Sequence, residues 1–174
     1  MKRVLLLLAV MVLSGCRSTS GLEVVSGFNV NRYLGTWYEV FRYPHGFEKD
    51  LNSVTATYTL NDDGTIKVLN RGYNEKNKRW KTIEGVARFK DSRTAGWLKV
   101  SFFKPLYASY KIIYLDEAYT RAIVTGPSYN YLWILVRDPN TPDDEIQELV
   151  EKAESFGFER EKLIRVDHSQ SERE

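Results

Sequence analysis

The sequence predicts an all-β domain, either a sandwich or a barrel, followed by one helix. Eight short segments between residues 37 and 137 alternate apolar and polar side chains, which is the period of a half-buried strand. Turn signals such as Asn61-Asp62-Asp63-Gly64 and Gly126-Pro127 separate them at short intervals. Aromatic residues make up 13% of the 174 residues, with 11 tyrosines, a composition typical of β-structure or of an aromatic-lined pocket. The length favours a single domain.

The first residues have the pattern of an export signal. Lys2 and Arg3 precede an apolar run, Val4 to Leu13, which is too short to span a membrane. The following Leu13-Ser14-Gly15-Cys16 resembles the bacterial lipobox, in which the signal peptide is cut off just before the cysteine. We therefore predict a signal peptide over 1–15 and lipidation of Cys16, the only cysteine of the chain. The alternative is a buried or free thiol.

The acylated cysteine would serve as a membrane anchor. Lipidation at this motif places more than one acyl chain on Cys16, which is what stable anchoring needs. Arg17, in the position after the cysteine, favours the outer membrane and its periplasmic face. Residues 16–25 are expected to form a tether. Without Lys2 and Arg3 the chain has 23 basic and 23 acidic residues, and this balance argues against nucleic acid as a partner.

Secondary structure follows from the apolar pattern. A short helical turn is expected before Gly35, capped by Asn29 or Asn31. The predicted strands contain residues 37–42, 53–60, 66–70, 82–89, 98–102, 110–115, 121–125 and 131–137, with a polar loop over 72–79. A helix should then begin with Thr141 as N-cap and Pro142 as first residue. Its apolar stripe, from Ile146 to Phe156, is expected to pack on the outer wall of the β-domain, and residues 163–166 to form a final short strand.

Two motifs are similar to those of the lipocalin family. The run from Gly35 to Glu39, Gly-Thr-Trp-Tyr-Glu, resembles the family's Gly-x-Trp signature, and 131–139 resembles its late strand with a closing arginine. The order of elements is also that of a lipocalin. The resemblance implies an eight-stranded antiparallel up-and-down β-barrel with the helix outside, a lipocalin domain over 26–167 and a polar tail over 168–174. Two departures are a Tyr129-Asn130-Tyr131 stretch where the family has Thr-Asp-Tyr, and the lack of disulfides.

The resemblance also assigns roles to residues. Gly35, Trp37 and Arg137 would form the structural signature, with the arginine packed over the tryptophan at the closed end. Inward-facing positions would line a ligand-binding calyx, and they are Glu39, Phe41, Val54, Ala56, Tyr58, Val68, Asn70, Phe102, Tyr110, Tyr114, Tyr131 and Trp133. The expected ligand is a fatty acid or a lysophospholipid, because a two-chain lipid would crowd so narrow a barrel. Loops 43–52, 74–79, 104–109 and 126–130 would gate its entry, and a homodimer stays open.

Glu39 is the one charged residue that this alternation sends into the cavity. An unpaired buried carboxylate is costly, so it is expected to be neutral, or paired with an arginine or a tyrosine. A contact with the ligand headgroup and an error in the assigned face are the alternatives.

The sequence offers little for catalysis. His45 and His168 are the only histidines, and no nucleophile, phosphate-loop or metal-ligand motif is recognisable. We therefore expect a carrier without cofactor or metal. The alternatives are a lipocalin-fold enzyme acting on a lipid or isoprenoid and a structural lipoprotein with a filled barrel.

Overall fold

A computed structural model describes residues 17–170, and the predicted signal peptide, Cys16 and the last four residues lie outside that range. Within it, eight antiparallel strands lie in sequence order around a closed barrel, and β1 pairs with both β2 and β8 to close it. The strands are β1 (Gly35–Arg42), β2 (Leu51–Leu60), β3 (Ile66–Asn74), β4 (Arg79–Phe89), β5 (Trp97–Phe103), β6 (Leu106–Leu115), β7 (Arg121–Thr125) and β8 (Leu132–Val136). A ninth short strand, β9 (Ile164–Arg165), pairs with the end of β1. The predicted barrel is confirmed.

The two ends of the barrel differ because the strands alternate in direction. One end holds the short helix α1 (Val30–Tyr33) and the β2–β3, β4–β5 and β6–β7 turns. A cluster of buried apolar side chains, including Phe28 and Trp37, fills it. The other end holds the β1–β2, β3–β4, β5–β6 and β7–β8 connections. We call these the closed end and the open end.

Residues 17–28 run along the barrel wall from the open end to the closed end. Ser18 forms a bridge with Ser128, and the Thr19 amide and hydroxyl donate to Pro127 O and Gly126 O. Thr19 is fully buried. Further on, the Phe28 amide donates to Thr94 O at the closed end. The expected tether is thus fastened to the barrel from Arg17 onward.

The helix α2 (Asp143–Ser155) covers the outer wall, as predicted. Ile146, Leu149, Val150 and Ala153 are buried against a second apolar cluster that includes Val40 and Ile134 of the barrel. Gly157 ends the helix with a φ of 90°, a left-handed conformation that suits glycine.

The expected start of α2 was wrong by one residue. The helix begins at Asp143, and Pro142 holds the N-cap position. Thr141 is not available as a cap because its hydroxyl donates to Asp138 O in the preceding turn, at 2.7 Å.

The predicted loop over 72–79 was too long. Strand β3 continues to Asn74 and β4 starts at Arg79, so only four residues form the turn. Near the open end both faces of these strands meet water or the cavity, and the apolar alternation fades before the pairing does. Likewise β6 starts at Leu106 rather than after the expected loop 104–109.

Two β-bulges move predicted calyx residues to the outside. In β1 the pairing with β8 shifts between Glu39 and Phe41, so Val40 and Phe41 both face the helix side. In β6 the pairing with β7 shifts between Ile112 and Tyr114, and Tyr114 packs in the same outer cluster. An extra residue reverses the faces of everything after it. The placement of Phe41 and Tyr114 in the calyx was therefore wrong.

Candidate ligand-binding cavity

A cavity of about 770 Å³ opens at the open end of the barrel. Apart from Phe41 and Tyr114, all the residues predicted to bind a ligand line it, and they are Glu39, Val54, Ala56, Tyr58, Val68, Asn70, Phe102, Tyr110, Tyr131 and Trp133. Gly85 on β4 makes room for the Phe102 ring, which is one of these lining side chains. A Cβ built on Gly85 would lie 2.8 Å from the Ser101 carbonyl oxygen and 2.7 Å from the Phe102 ring. The volume is within the roughly 300–1,000 Å³ typical of small-molecule sites.

The closed end is plugged by the three signature residues. The Trp37 side chain is fully buried, its indole N–H donates to Tyr33 O at 2.9 Å, and the Arg137 guanidinium lies 4.1 Å from its ring centroid. Arg137 also donates to the carbonyls of Thr36 and Leu34, each at 2.8 Å. Gly35 has a φ of 91°, and a Cβ there would lie 3.2 Å from Arg137 Nη1. The arginine thus satisfies carbonyls at the end of α1 that the short helix leaves unpaired.

Three tyrosine hydroxyls form a hydrogen-bonded chain at the floor of the cavity, where Tyr58 and Tyr110 belong to its lining. Tyr110 is hydrogen-bonded to Tyr33 and to Tyr58, each at an O···O distance of 2.8 Å. Burial raises the pKa of all three phenols, that of Tyr58 to about 12. Three hydroxyl protons serve two hydrogen bonds among the described residues, so one proton is left to donate to another group.

Glu39 lies in a buried cluster of charges beside the mouth. Its Oε1 accepts from Arg42 Nη1 at 2.8 Å, and Arg42 Nε lies 3.9 Å from Glu48 Oε2. All three side chains are less than a tenth exposed. Burial and the neighbouring Glu48 raise the pKa of Glu39 well above its usual value, although Arg42 opposes both effects. Of the alternatives for Glu39, pairing with an arginine is the one observed.

The same cluster fixes the β1–β2 loop. Arg42 Nη2 donates to the carbonyls of Glu48 and Leu51, at 3.1 and 2.8 Å. The Trp133 indole N–H donates to Glu48 Oε2 at 3.2 Å. His45 stacks on Phe47 with ring centroids 4.0 Å apart. The arginine thereby ties strand β1 to the loop that borders the mouth.

Sequence reasoning missed several of these residues. Arg42 was placed outside by simple alternation, and the bulge before it brings it inside. Glu48 and Phe47 lie in a loop, where no periodicity assigns a face. Lys81 also lines the cavity wall, whereas the Arg71 guanidinium lies 3.9 Å from the Trp80 ring centroid. A detectable signal was the spacing of Glu39 and Arg42, because opposite charges three residues apart in a strand share a face only across a bulge.

The stretch compared with the family's middle signature lies away from the closed end. Tyr129-Asn130-Tyr131 lies in the β7–β8 connection at the open end. The β6–β7 loop, beside Arg137 at the closed end, contains a capping aspartate. Asp116 Oδ1 accepts from the backbone amides of Thr120 and Arg121, at 2.7 and 2.8 Å. Asp116 thus caps the β6–β7 loop.

The described residues contain neither a cluster of metal ligands nor a membrane-spanning helix. Across residues 17–170, no cluster of three or more His, Cys, Asp or Glu side chains is arranged to hold a metal ion. In the same range no helix is long and apolar enough to cross a membrane.

Comparison with known proteins places the chain in a family. The model of the lipocalin-like domain matches residues 28–168. The outer membrane lipoprotein Blc of Citrobacter freundii is 49% identical over 146 residues, which cover 84% of this chain and 82% of that protein. Blc of Vibrio cholerae is 44% identical over 168 residues, covering 95% and 98%.

Solved structures agree on the fold. The cockroach allergen Per a 4 superposes with a TM-score of 0.71 at 22% identity, covering 92% of this chain and all of the other. At that identity the likeness concerns the fold alone. With the barrel, the plugged closed end and the matches over most of the sequence, the chain belongs to the lipocalin family.

Proposed function

We propose that this lipocalin binds a fatty acid or a lysophospholipid in its barrel and stores or transports it for membrane maintenance. It would do so at the periplasmic face of the outer membrane, anchored by an acylated Cys16. The observation that carries the proposal is the cavity of about 770 Å³, open at one end and lined mostly by apolar and aromatic side chains.

Apolar burial supplies the binding free energy. Each CH₂ group removed from water contributes about 0.8 kcal/mol. A chain of about sixteen carbons therefore gains about 12 kcal/mol, a free energy of the same size as the roughly 4–15 kcal/mol lost in association. The wall formed by Val54, Val68, Phe102 and Tyr110 suits an acyl chain, and an open cavity of this size argues against a structural protein with a filled barrel.

Polar groups are available for the head of the ligand. Within the described residues Asn70 Oδ1 is buried without a hydrogen-bond partner, and it lines the cavity. The tyrosine cluster has one hydroxyl proton to donate. Lys81 on the wall suits the negative charge of a carboxylate or a phosphate. A lipid with one chain and an anionic or zwitterionic head fits this set.

The names of the relatives support an outer-membrane location. The proteins from C. freundii and V. cholerae are both named outer membrane lipoproteins, and the match to the latter covers nearly the whole chain. Together with the lipobox before Cys16, this supports lipidation and outer-membrane attachment. Changing Cys16→Ser should release the protein from the membrane fraction, and a variant that still sediments with membranes would refute anchoring at this residue.

Lipid binding is tested on delipidated protein. Lysophospholipid or fatty acid should quench the fluorescence of Trp133 saturably, and the Trp133→Phe variant should lose that part of the signal. Ala56→Phe, which narrows the cavity, should weaken binding by at least tenfold. Thr59→Phe on the exposed side of the same strand is its control. Absence of saturable quenching, with no lipid found by mass spectrometry of the purified protein, would reject the carrier.

A catalytic role for Glu39 has a separate test. The carboxylate is held by Arg42, and this favours a structural role. The Glu39→Gln variant should keep its ligand affinity within a few-fold. Turnover of a bound lipid or isoprenoid by the natural protein, lost in this variant, would establish the enzyme instead.

A further inference from the structure

The chain leaves the barrel for its N-terminus at the open end. Arg17 O accepts from the Tyr129 amide at 2.9 Å, and the Arg17 guanidinium lies 4.1 Å from the Tyr129 ring centroid. Tyr129 belongs to the β7–β8 connection, beside the cavity mouth. Cys16 lies outside the described residues, but one peptide unit of about 3.8 Å joins it to Arg17. An anchor on Cys16 would therefore be attached beside the mouth, with almost no slack.

The mouth is bordered by exposed apolar side chains. Phe47 is 63% exposed, Phe103 71% and Leu106 75%. They come from two different loops, and all three line the entrance of the cavity. Large apolar side chains on loop tips are typical of surfaces that contact a membrane or a protein.

The charged residues around the mouth favour a membrane over a protein as the partner. Exposed cations surround the mouth, and they are Lys49, Lys76, Lys78, Arg79, Lys81 and Lys104. Asp50 and Glu75 are the acidic residues of the same loops outside the buried cluster that holds Glu48. The closed-end turns carry the opposite balance, with Asp62, Asp63, Asp91, Asp116 and Glu117 against Lys90 and Arg93. Apolar tips within a ring of cations complement an anionic phospholipid surface, whereas a second copy would bring an equally cationic rim against the first.

We infer that the open end of this lipocalin contacts the bilayer, so that the mouth of the cavity faces the lipid. Phe47, Phe103 and Leu106 then enter the anionic phospholipid interface beside the acylated Cys16. The inference rests on the anchor under Proposed function and adds an orientation to it. A ligand then passes between membrane and cavity without crossing water. The closed end points away by the height of the barrel, roughly 20–25 Å for strands of this length and tilt.

Site-directed fluorescence labelling of the full acylated chain tests the orientation. The thiol of Cys16 is consumed by acylation, so a new cysteine is the single labelling site. Rim variants are Phe47→Cys and Leu106→Cys, and closed-end controls are Leu60→Cys and Asp91→Cys. The protein is reconstituted into phosphatidylethanolamine–phosphatidylglycerol vesicles in which part of the lipid carries a quencher on its acyl chains. Rim labels should be quenched several-fold more than closed-end labels.

Charge reversal provides a second readout. Lys49 and Lys104 are not part of the cavity lining, so Lys49→Glu with Lys104→Glu should lower rim-label quenching at least twofold. Lys67→Glu, an exposed site towards the closed end, should not. Added salt should act in the same direction as the reversal.

The results of these experiments test the membrane orientation separately from lipid binding. Equal quenching at both ends, or energy transfer between rim labels of two copies without lipid quenching, overturns the orientation. Ligand binding by the same samples would then leave the carrier intact. Mass spectrometry of the membrane-extracted protein measures the acylation of Cys16 independently. An unacylated Cys16 would refute both the anchor and the proposed contact with the bilayer. Selective quenching of the rim in acylated protein supports them together.

Discussion

The buried charge cluster at the mouth makes the most specific prediction about stability. Replacing Arg42 by methionine keeps much of its volume but removes the cation between Glu39 and Glu48. The cost of breaking a buried ion pair by removing one partner is about 3–5 kcal/mol. The carbonyls of Glu48 and Leu51 also lose their donor. We expect the free energy of unfolding at pH 8 to fall by that amount.

The loss of unfolding free energy in the Arg42→Met variant should be larger at high pH than at low pH. The folded-state pKa of Glu39 is raised above its unfolded value, so between the two values the native state binds more protons than the unfolded state. Stability therefore falls as pH rises through this window, at up to about 1.4 kcal/mol per pH unit. Without Arg42 the pKa of Glu39 rises further. The Arg42→Met penalty should accordingly be smallest near pH 4.5 and largest at pH 8.

Urea unfolding followed by far-ultraviolet circular dichroism measures both effects across this pH range. The double variant Glu39→Gln/Arg42→Met should recover a large part of the loss at pH 8, because the uncompensated carboxylate is gone. Lys67→Met is the matched control. Its partner Glu84 is 64% exposed, and such pairs contribute at most about 1 kcal/mol. A penalty at pH 4.5 equal to that at pH 8, or a double variant no more stable than Arg42→Met, would refute this account.

Three further changes test other parts of the barrel. Arg137→Ala should lower stability by about 2–4 kcal/mol in thermal unfolding, because it removes charge-assisted bonds to carbonyls and the contact with Trp37, while a loss under 1 kcal/mol would contradict the plug. Tyr58 should ionise near pH 12 by ultraviolet titration, and its raised pKa means that stability is lost above pH 10; Tyr58→Phe should remove that step from the titration. Gly85→Ala should cost about 1–3 kcal/mol because its Cβ meets the Ser101 carbonyl, whereas Gly21→Ala, with nothing within 4 Å, should be neutral or slightly stabilising.

The sequence predicted the architecture well because the barrel is built on alternation. Val54, Ala56 and Tyr58 occupy the faces that simple counting assigns them. The Gly35, Trp37 and Arg137 motif added closure, which periodicity alone leaves open between a sandwich and a barrel. The turn at Asn61–Gly64 was also predictable from the sequence, because a glycine with a φ of 79° ends it.

The alternation of side chains assigned the wrong face wherever a strand contained an extra residue. The bulge at Val40 has a physical cause outside its own strand: the Val40 carbonyl accepts from Val166 at 3.0 Å, and the Glu39 carbonyl lies 2.8 Å from His168 Nε2. Those partners come from the C-terminal segment, more than a hundred residues away, so no local pattern reports them. In β6 the run from Ile112 to Leu115 is apolar on both faces, and an extra residue there leaves no visible break. Phe41 and Tyr114 were misplaced for these two reasons.

The bulge also explains why a carboxylate lies inside an apolar barrel. The β1–β2 loop contains a 3-10 turn of only three residues, Gly46 to Glu48, which cannot satisfy its own carbonyls. Arg42 reaches them only from the inside, and the bulge turns it there. A buried guanidinium needs a counterion, and Glu39 is the nearest inward position on the same strand. Glu39 is thus a consequence of how the mouth is held in shape. Ligand headgroup selectivity should accordingly depend on Asn70, Lys81 and the tyrosine hydroxyls, and Asn70→Leu should shift the preference between fatty acid and lysophospholipid while Glu39→Gln leaves it unchanged.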